Sequence, residues 1–246
     1  GVAAAVVAGA LLALIHAFLT VTLRANQVVS GLAVTLFGTG LSGYLGQDYV
    51  GQPAGAVFGK IAVPLLSDIP IIGSILFKQD ALVYISYFLV PLAAWYFYKT
   101  RSGLFLRAMG ENPAAVDAAG INVFGLRYLY IVIGGALAGV AGAYLSLAYA
   151  PSWLENMTAG RGWIAVALVI FALWDPWRAM AGSYLFGGID ALGFNLQVLG
   201  VPVSGFILNM LPYIFTVLVL VLVLKRRGGR SASPQALGLS YDREER

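Results

Sequence analysis

The sequence has no cysteine and a single histidine, His16. Disulfides and thiolate metal sites are therefore excluded, and one imidazole makes no histidine cluster for a metal. Charge is scarce: 11% of the 246 residues are Asp, Glu, Lys or Arg, whereas 60% are hydrophobic. A soluble domain of this size cannot hide that much apolar surface, so lipid is the solvent for most of it. Catalytic motifs are missing too. No GxxxxGK[ST] phosphate loop occurs, so ATP is not bound by that device. There is no HExxH, no paired cysteine and no nucleophile beside a base. Acid–base work inside a bilayer needs buried acids or histidines. Only Asp190 and His16 qualify, and they are distant in sequence. The expectation is a protein that is not an enzyme and holds no metal or cofactor of its own. The net charge of +4 is not read as a nucleic-acid signal, because the charges sit in loops, the membrane-protein pattern.

What is present is a series of apolar segments. A spanning helix needs about 20 such residues. The series is 1–23, 26–45, 81–98, 126–149, 163–174, 179–199 and 202–224. The fold class expected is an all-α polytopic membrane protein with about seven crossings. The second segment is rich in glycine and also carries Asn26, Gln27, Ser30, Thr35 and Thr39. Such glycines loosen a helix or permit close packing. In the fourth, Gly135 and Gly139 are four apart, as are Ala138 and Gly142. Small residues on one face let two helix backbones meet. The fifth segment is too short to cross alone at 1.5 Å per residue. Residues 47–79 form a loop with Pro53, Pro64 and Pro70, whose apolar middle is expected at the interface. Residues 1–227 are taken as the membrane domain and 228–246 as a disordered tail. Apolar sequence begins at once at Gly1, with no basic leader of the signal-peptide kind. The expectation is a fragment or processed start.

Seven crossings set an orientation. They place Arg24, Lys99, Arg101, Arg107, Arg127, Arg178, Lys225, Arg226, Arg227, Arg230, Arg243 and Arg246 on one side, and Lys60, Lys78 and Arg161 on the other. Twelve of the fifteen basic residues thus share a side, which the positive-inside rule makes cytoplasmic. The C-terminus and the loop 99–127 then face the cytoplasm, and the loop 47–79 faces out.

Polar side chains within lipid are expensive and often mark a pathway. Asp190 lies near mid-span, close to Gly187, Gly188 and Gly193. It either lines a water-filled path or bonds a neighbouring helix. Asn26, Gln27, Ser30, Asn195, Gln197 and Asn209 are further candidates. An amide donates and accepts, which suits an uncharged hydroxylated or heterocyclic substrate, yet serves helix-to-helix bonding equally well. His16 reads as a packing residue.

The stretch 99–127 is the longest polar interruption, and it holds a short capped helix. Asn112 suits an N-cap, Pro113 the first helical position, and Gly120 a left-handed stop. Two turns of helix are marginal alone, so something must dock against them. That is either an ordinary solvated loop or a docking element for a cytoplasmic partner. With no ATP site in the chain, a partner that supplies energy accounts for it.

The run Arg107-Ala108-Met109-Gly110-Glu111-Asn112-Pro113-Ala114-Ala115, followed by Ala119-Gly120-Ile121, resembles the cytoplasmic loop of bacterial ABC-importer permeases. The match is to the branched-chain amino acid, ribose and nucleoside superfamily. Asn26 to Leu32, Gly160 to Ala165 and Met210-Leu211-Pro212-Tyr213 are similar to its nucleoside/simple-sugar subgroup. The resemblance covers nearly the whole chain except the tail. It implies a vitamin-B12-permease-like (type II importer) fold in the bacterial cytoplasmic membrane, with one or more helices preceding Gly1. It also implies a second permease subunit, alike or different. ABC ATPase subunits carrying ATP and Mg would grip Arg107, Gly110, Glu111, Asn112, Pro113, Ala114, Ala115, Asp117 and Gly120. An external binding lipoprotein would deliver a nucleoside or simple sugar. Branched-chain amino acid cargo, an ion-gradient-driven carrier and a structural scaffold are the alternatives.

Overall fold

The structure is a computed structural model. It describes residues 1–70, 72–158, 160–199 and 233–243, with positions 207, 210, 213, 214, 217, 218, 221 and 225; at 72, 193, 194, 197 and 198 only the helical backbone is described. The last expected span, 202–224, and its Asn209 lie outside these residues apart from the isolated positions.

The described chain is mostly helical: α1 (Val2–Ala17), α2 (Gln27–Gly46), α3 (Ile72–Leu76), α4 (Ala81–Lys99), α5 (Arg101–Glu111), α6 (Pro113–Ala118), α7 (Val123–Tyr144), α8 (Arg161–Ala172) and α9 (Pro176–Val198). Strands β1 (Ile61–Ala62) and β2 (Lys78–Gln79) pair antiparallel and close the loop between α2 and α4. Four helical stretches are long and apolar enough to cross a membrane among the described residues: Val2–Thr22, Gln27–Tyr49, Ala81–Lys99 and Val123–Tyr149. Their side chains face outward without cover, as at Val28, Leu36 and Phe88, which only a lipid surround makes inexpensive. The chain divides into two compact units. One comprises 1–88, 101–158 and 235–246, the other 89–100 and 159–234.

In the first unit α1 packs along α7. A Cβ on Gly135 would run into the Gly9 carbonyl and the Ala13 methyl, and one on Gly139 into the Ala5 carbonyl. The two backbones therefore touch, as the four-residue spacing predicts. Gly134 and Gly142 face open space. Both helices end in a π-helical turn, Phe18–Thr22 and Leu145–Tyr149. After the first of these the chain reverses in a tight turn. Arg24 takes a left-handed conformation (φ 55°), and the Asn26 side chain accepts from the N–H groups of Val28 and Val29, capping α2.

In the second unit α8 spans 12 residues, the short segment that the sequence marks. Leu173 and Trp174 are both left-handed and end it. Asp175 then caps α9, accepting from the Arg178 N–H at 2.9 Å and from the Tyr98 hydroxyl at 2.8 Å. Those hydrogen bonds, the Arg178 N–H foremost, hold the Asp175 carboxyl below the usual carboxylate range. The cap is therefore complete at neutral pH and is lost as the pH falls through that lowered value.

Gly135→Leu should drive α1 and α7 apart and cost roughly 1–3 kcal/mol, the usual penalty of overpacking. Gly134→Leu, one residue away in open space, should change little. Thermal unfolding of the two variants in detergent measures the difference.

Candidate functional site

The polar stretch between α4 and α7 contains two helices, where the sequence announces one. Helix α5 precedes the capped helix, and its apolar face carries Leu106 and Met109 into a small core. Helix α6 follows the expected chemistry. Asn112 Oδ1 accepts the Ala115 N–H at 3.0 Å, and Pro113 fills the first position. Gly120 then reverses the chain at φ 81°, a conformation a side chain would strain. Asn122 starts α7 in the same manner, accepting from the Gly125 N–H at 2.9 Å.

Around α6 the protein has an ordinary buried core: Met109 of α5, Val116 of α6, Val123 of α7 and Tyr241 of the tail. The tail from Gly228 does not stay unstructured over 233–243. Tyr241 is 7% exposed and packs against Phe124, with ring centroids 5.7 Å apart. Its hydroxyl donates to Asp117 Oδ2 at 3.0 Å. The Arg243 guanidinium completes the pair, with Nε to Oδ2 at 2.8 Å and Nη2 to Oδ1 at 2.5 Å. That doubly bonded partner keeps Arg243 above its ordinary value. The Ala236 N–H donates to the Gly110 carbonyl at 2.9 Å. Composition hides this arrangement, because the segment is polar apart from a few residues. Its one signal is an aromatic residue set beside Asp242 and Arg243 in an otherwise aliphatic and polar tail.

The predicted docking residues divide by direction. Arg107, Glu111, Asn112, Ala115 and Gly120 are exposed. Gly110, Pro113 and Ala114 are half-buried, with Ala114 against the core. The Asp117 carboxylate is turned inward: its side chain is 5% exposed and held by the tail. The outward side of α5, α6 and the residue after α6 thus carries Arg107, Glu111, Ala115, Ala118 and Ala119.

The predicted path residues do not form one cluster. Asn26 is occupied as a cap. The Gln27 amide reaches the Leu239 carbonyl at 3.5 Å. Ser30 is buried and its hydroxyl lies 3.0 Å from His16 Nδ1. Asp190 and Asn195 are exposed on α9, and Asn195 donates back to the Ala191 carbonyl at 2.8 Å. Gln197 lies on α9, and Asn209 is outside the described residues. The structure adds a cavity of about 930 Å³ within the first unit, walled by α1, α2, α7 and the chain that follows α7. Its polar lining includes His16, Thr35, Thr39, Ser42, Ser146 and Asn156. The spacing of Thr35, Thr39 and Ser42, four and three apart on one helix, is the signal that marks this wall in the sequence. Hydroxyls, an amide and one imidazole can donate to and accept from an uncharged polar molecule.

Residues 1–224 match the family described as branched-chain amino acid transport system, permease component. A putative glucose ABC transporter permease protein, TsgC13 of Haloferax volcanii, is 39% identical over 99% of this chain and 81% of its own length. The nucleoside ABC transporter permease protein NupC of Lactococcus lactis is 40% identical over 95% of this chain and 74% of its own. The guanosine ABC transporter permease protein NupQ of Bacillus subtilis is 34% identical over 97% and 76%. No solved structure matches.

Asn112→Ala removes the only side chain that caps α6 and should cost that helix about 1 kcal/mol. Hydrogen exchange should then quicken across 113–119 while the amides of α7 keep their protection.

Proposed function

The chain belongs to the permease-component family of ABC transport systems, and from that premise we propose that it conducts a nucleoside or simple sugar into the cell. It is a multi-pass membrane protein and the permease subunit of an ABC importer; ATP is hydrolysed elsewhere in the assembly. The observation that carries the cargo reading is the identity of 34–40%, sustained over nearly the whole chain, to permeases named for glucose, nucleosides and guanosine. The lining of the first-unit cavity supports it. Hydroxyls and an amide match the hydroxyls of a sugar or ribose, and a volume of about 930 Å³ falls within the range of small-molecule sites. A zwitterionic amino acid calls for fixed charge in its path, and among the described residues no Asp, Glu, Lys or Arg side chain lines this cavity.

The architecture proposed is a type II importer with about seven crossings, the C-terminus and α5–α6 on the cytoplasmic side of the cytoplasmic membrane. Two permease subunits, identical or paired with a sister chain, would enclose the path, and an external binding lipoprotein would feed it. Two ATPase subunits carrying ATP and Mg would dock on the outward face of α5 and α6, at Arg107, Glu111, Asn112 and Ala115. Closure of the ATPases moves α6, and the path switches sides. Such coupling requires the partner to bind the two permease states with different affinity.

Glu111→Arg combined with Ala115→Trp should abolish co-purification of the ATPase subunit and reduce uptake to background. Unchanged co-purification and uptake would remove the docking assignment. Competition of uptake by guanosine, glucose and leucine decides the cargo. Inhibition by leucine alone would replace the reading with branched-chain amino acid transport.

A further inference from the structure

The tail does more than cover a core; it ties the short helix α6 to a distant part of the membrane domain. At one side it holds α5 and α6 through the Ala236–Gly110 bond, the Tyr241 ring and the Asp117–Arg243 pair. At the other side it holds the base of the membrane helices. Asp242 is ion-paired with Arg24 in the α1–α2 turn. The Leu239 carbonyl accepts from Arg127 Nη1 at 3.1 Å, in the first turns of α7. The same carbonyl lies within reach of the Gln27 amide at the start of α2, and the Arg127 guanidinium sits 5.9 Å from the centre of the Tyr241 ring. Alternating residues thus face opposite elements: Tyr241 and Arg243 take α6, and Asp242 takes the α1–α2 turn. An extended chain presents side chains with that period of two.

We propose that residues 235–243 form a transmission strap that carries displacement of α6 to the α1–α2 turn. It rests on the docking reading above. Four observations fit transmission rather than passive cover. First, α6 has six residues and cannot hold its own orientation, so its surroundings determine where it points. Second, Asp117 lies on α6 itself and spends its carboxylate on the strap. Third, the far anchor, Arg24, is a left-handed residue at the reversal between two spanning helices, where a small shift re-aims α2. Fourth, α2 supplies Thr35, Thr39 and Ser42 to the cavity wall. A pull on the turn therefore reaches the proposed path within one helix.

The test uses the assembled transporter, permease with its ATPase subunits, in proteoliposomes. Arg243→Asp should leave ATPase co-purification intact while cutting ATP-driven guanosine uptake about tenfold, with ATP hydrolysis continuing, and Asp117→Arg should cut uptake to the same extent. The double exchange should restore uptake by re-forming the pair in reverse. A second measurement needs no cargo. Spin labels at Ala25→Cys and Ala118→Cys, in a chain without native cysteine, should report one narrow distance in the permease without its ATPase. Deletion of 235–246 should broaden it. A distance distribution unaffected by the deletion overturns the strap. So does loss of ATPase co-purification in Arg243→Asp, which would make the tail part of the docking face. Failure of the docking reading shows separately, as co-purification that ignores Glu111 and Ala115.

Discussion

Lipid as solvent is the constraint from which the rest follows. Between two apolar helices in a bilayer there is no hydrophobic drive to associate, since the tails are as apolar as leucine. What remains is close contact, and close contact requires missing side chains. Helices α1 and α7 meet where Gly9, Gly135 and Gly139 bring carbonyls against the opposite backbone. Around α6 the packing is of another kind. There Met109, Val116, Val123 and Tyr241 are buried together as a conventional hydrophobic core, the kind that water drives. The first unit thus uses two different physical devices, and α7 takes part in both.

That division explains what the sequence makes readable. Caps are local: Asn112 bonds a residue three further on, so the start of α6 is written in four letters, and Gly120 marks its end. Backbone contact is readable because small residues at a four-residue spacing share a face. The tail is another matter. Tyr241 and Asp117 are 124 residues apart, and no periodicity links them; a polar segment with one aromatic ring reads as solvated chain. Asn26 shows the converse error of emphasis. Its amide invites a substrate role, but the local need of α2 for a cap already occupies its oxygen. The polar wall of the cavity lies between these cases. Thr35 and Thr39 are visible singly, and only with Ser42 do they form a stripe.

The same division bears on how motion travels. Helix α6 touches the base of α7 through Val116 and Val123 and reaches the α1–α2 turn through the tail. At the glycine contact α1 and α7 meet mainly through backbone, with the Ala13 methyl against Gly135; a shift along the interface would drive carbonyls into the facing backbone. Tightly packed interfaces switch rather than deform, so the expectation is that this pair shifts as one unit. Helix α2 has no such backbone contact at glycines 31 and 40, which face open space, although Gly46 meets the Trp153 ring. The cavity lies between α2 and the α1–α7 pair. Under the strap proposal, its width would follow how far the α1–α2 turn is drawn toward α6. The proposal thus assigns the conversion of a push from the water side into a change in the membrane to the reversal at Arg24, rather than to a polar residue within the spans.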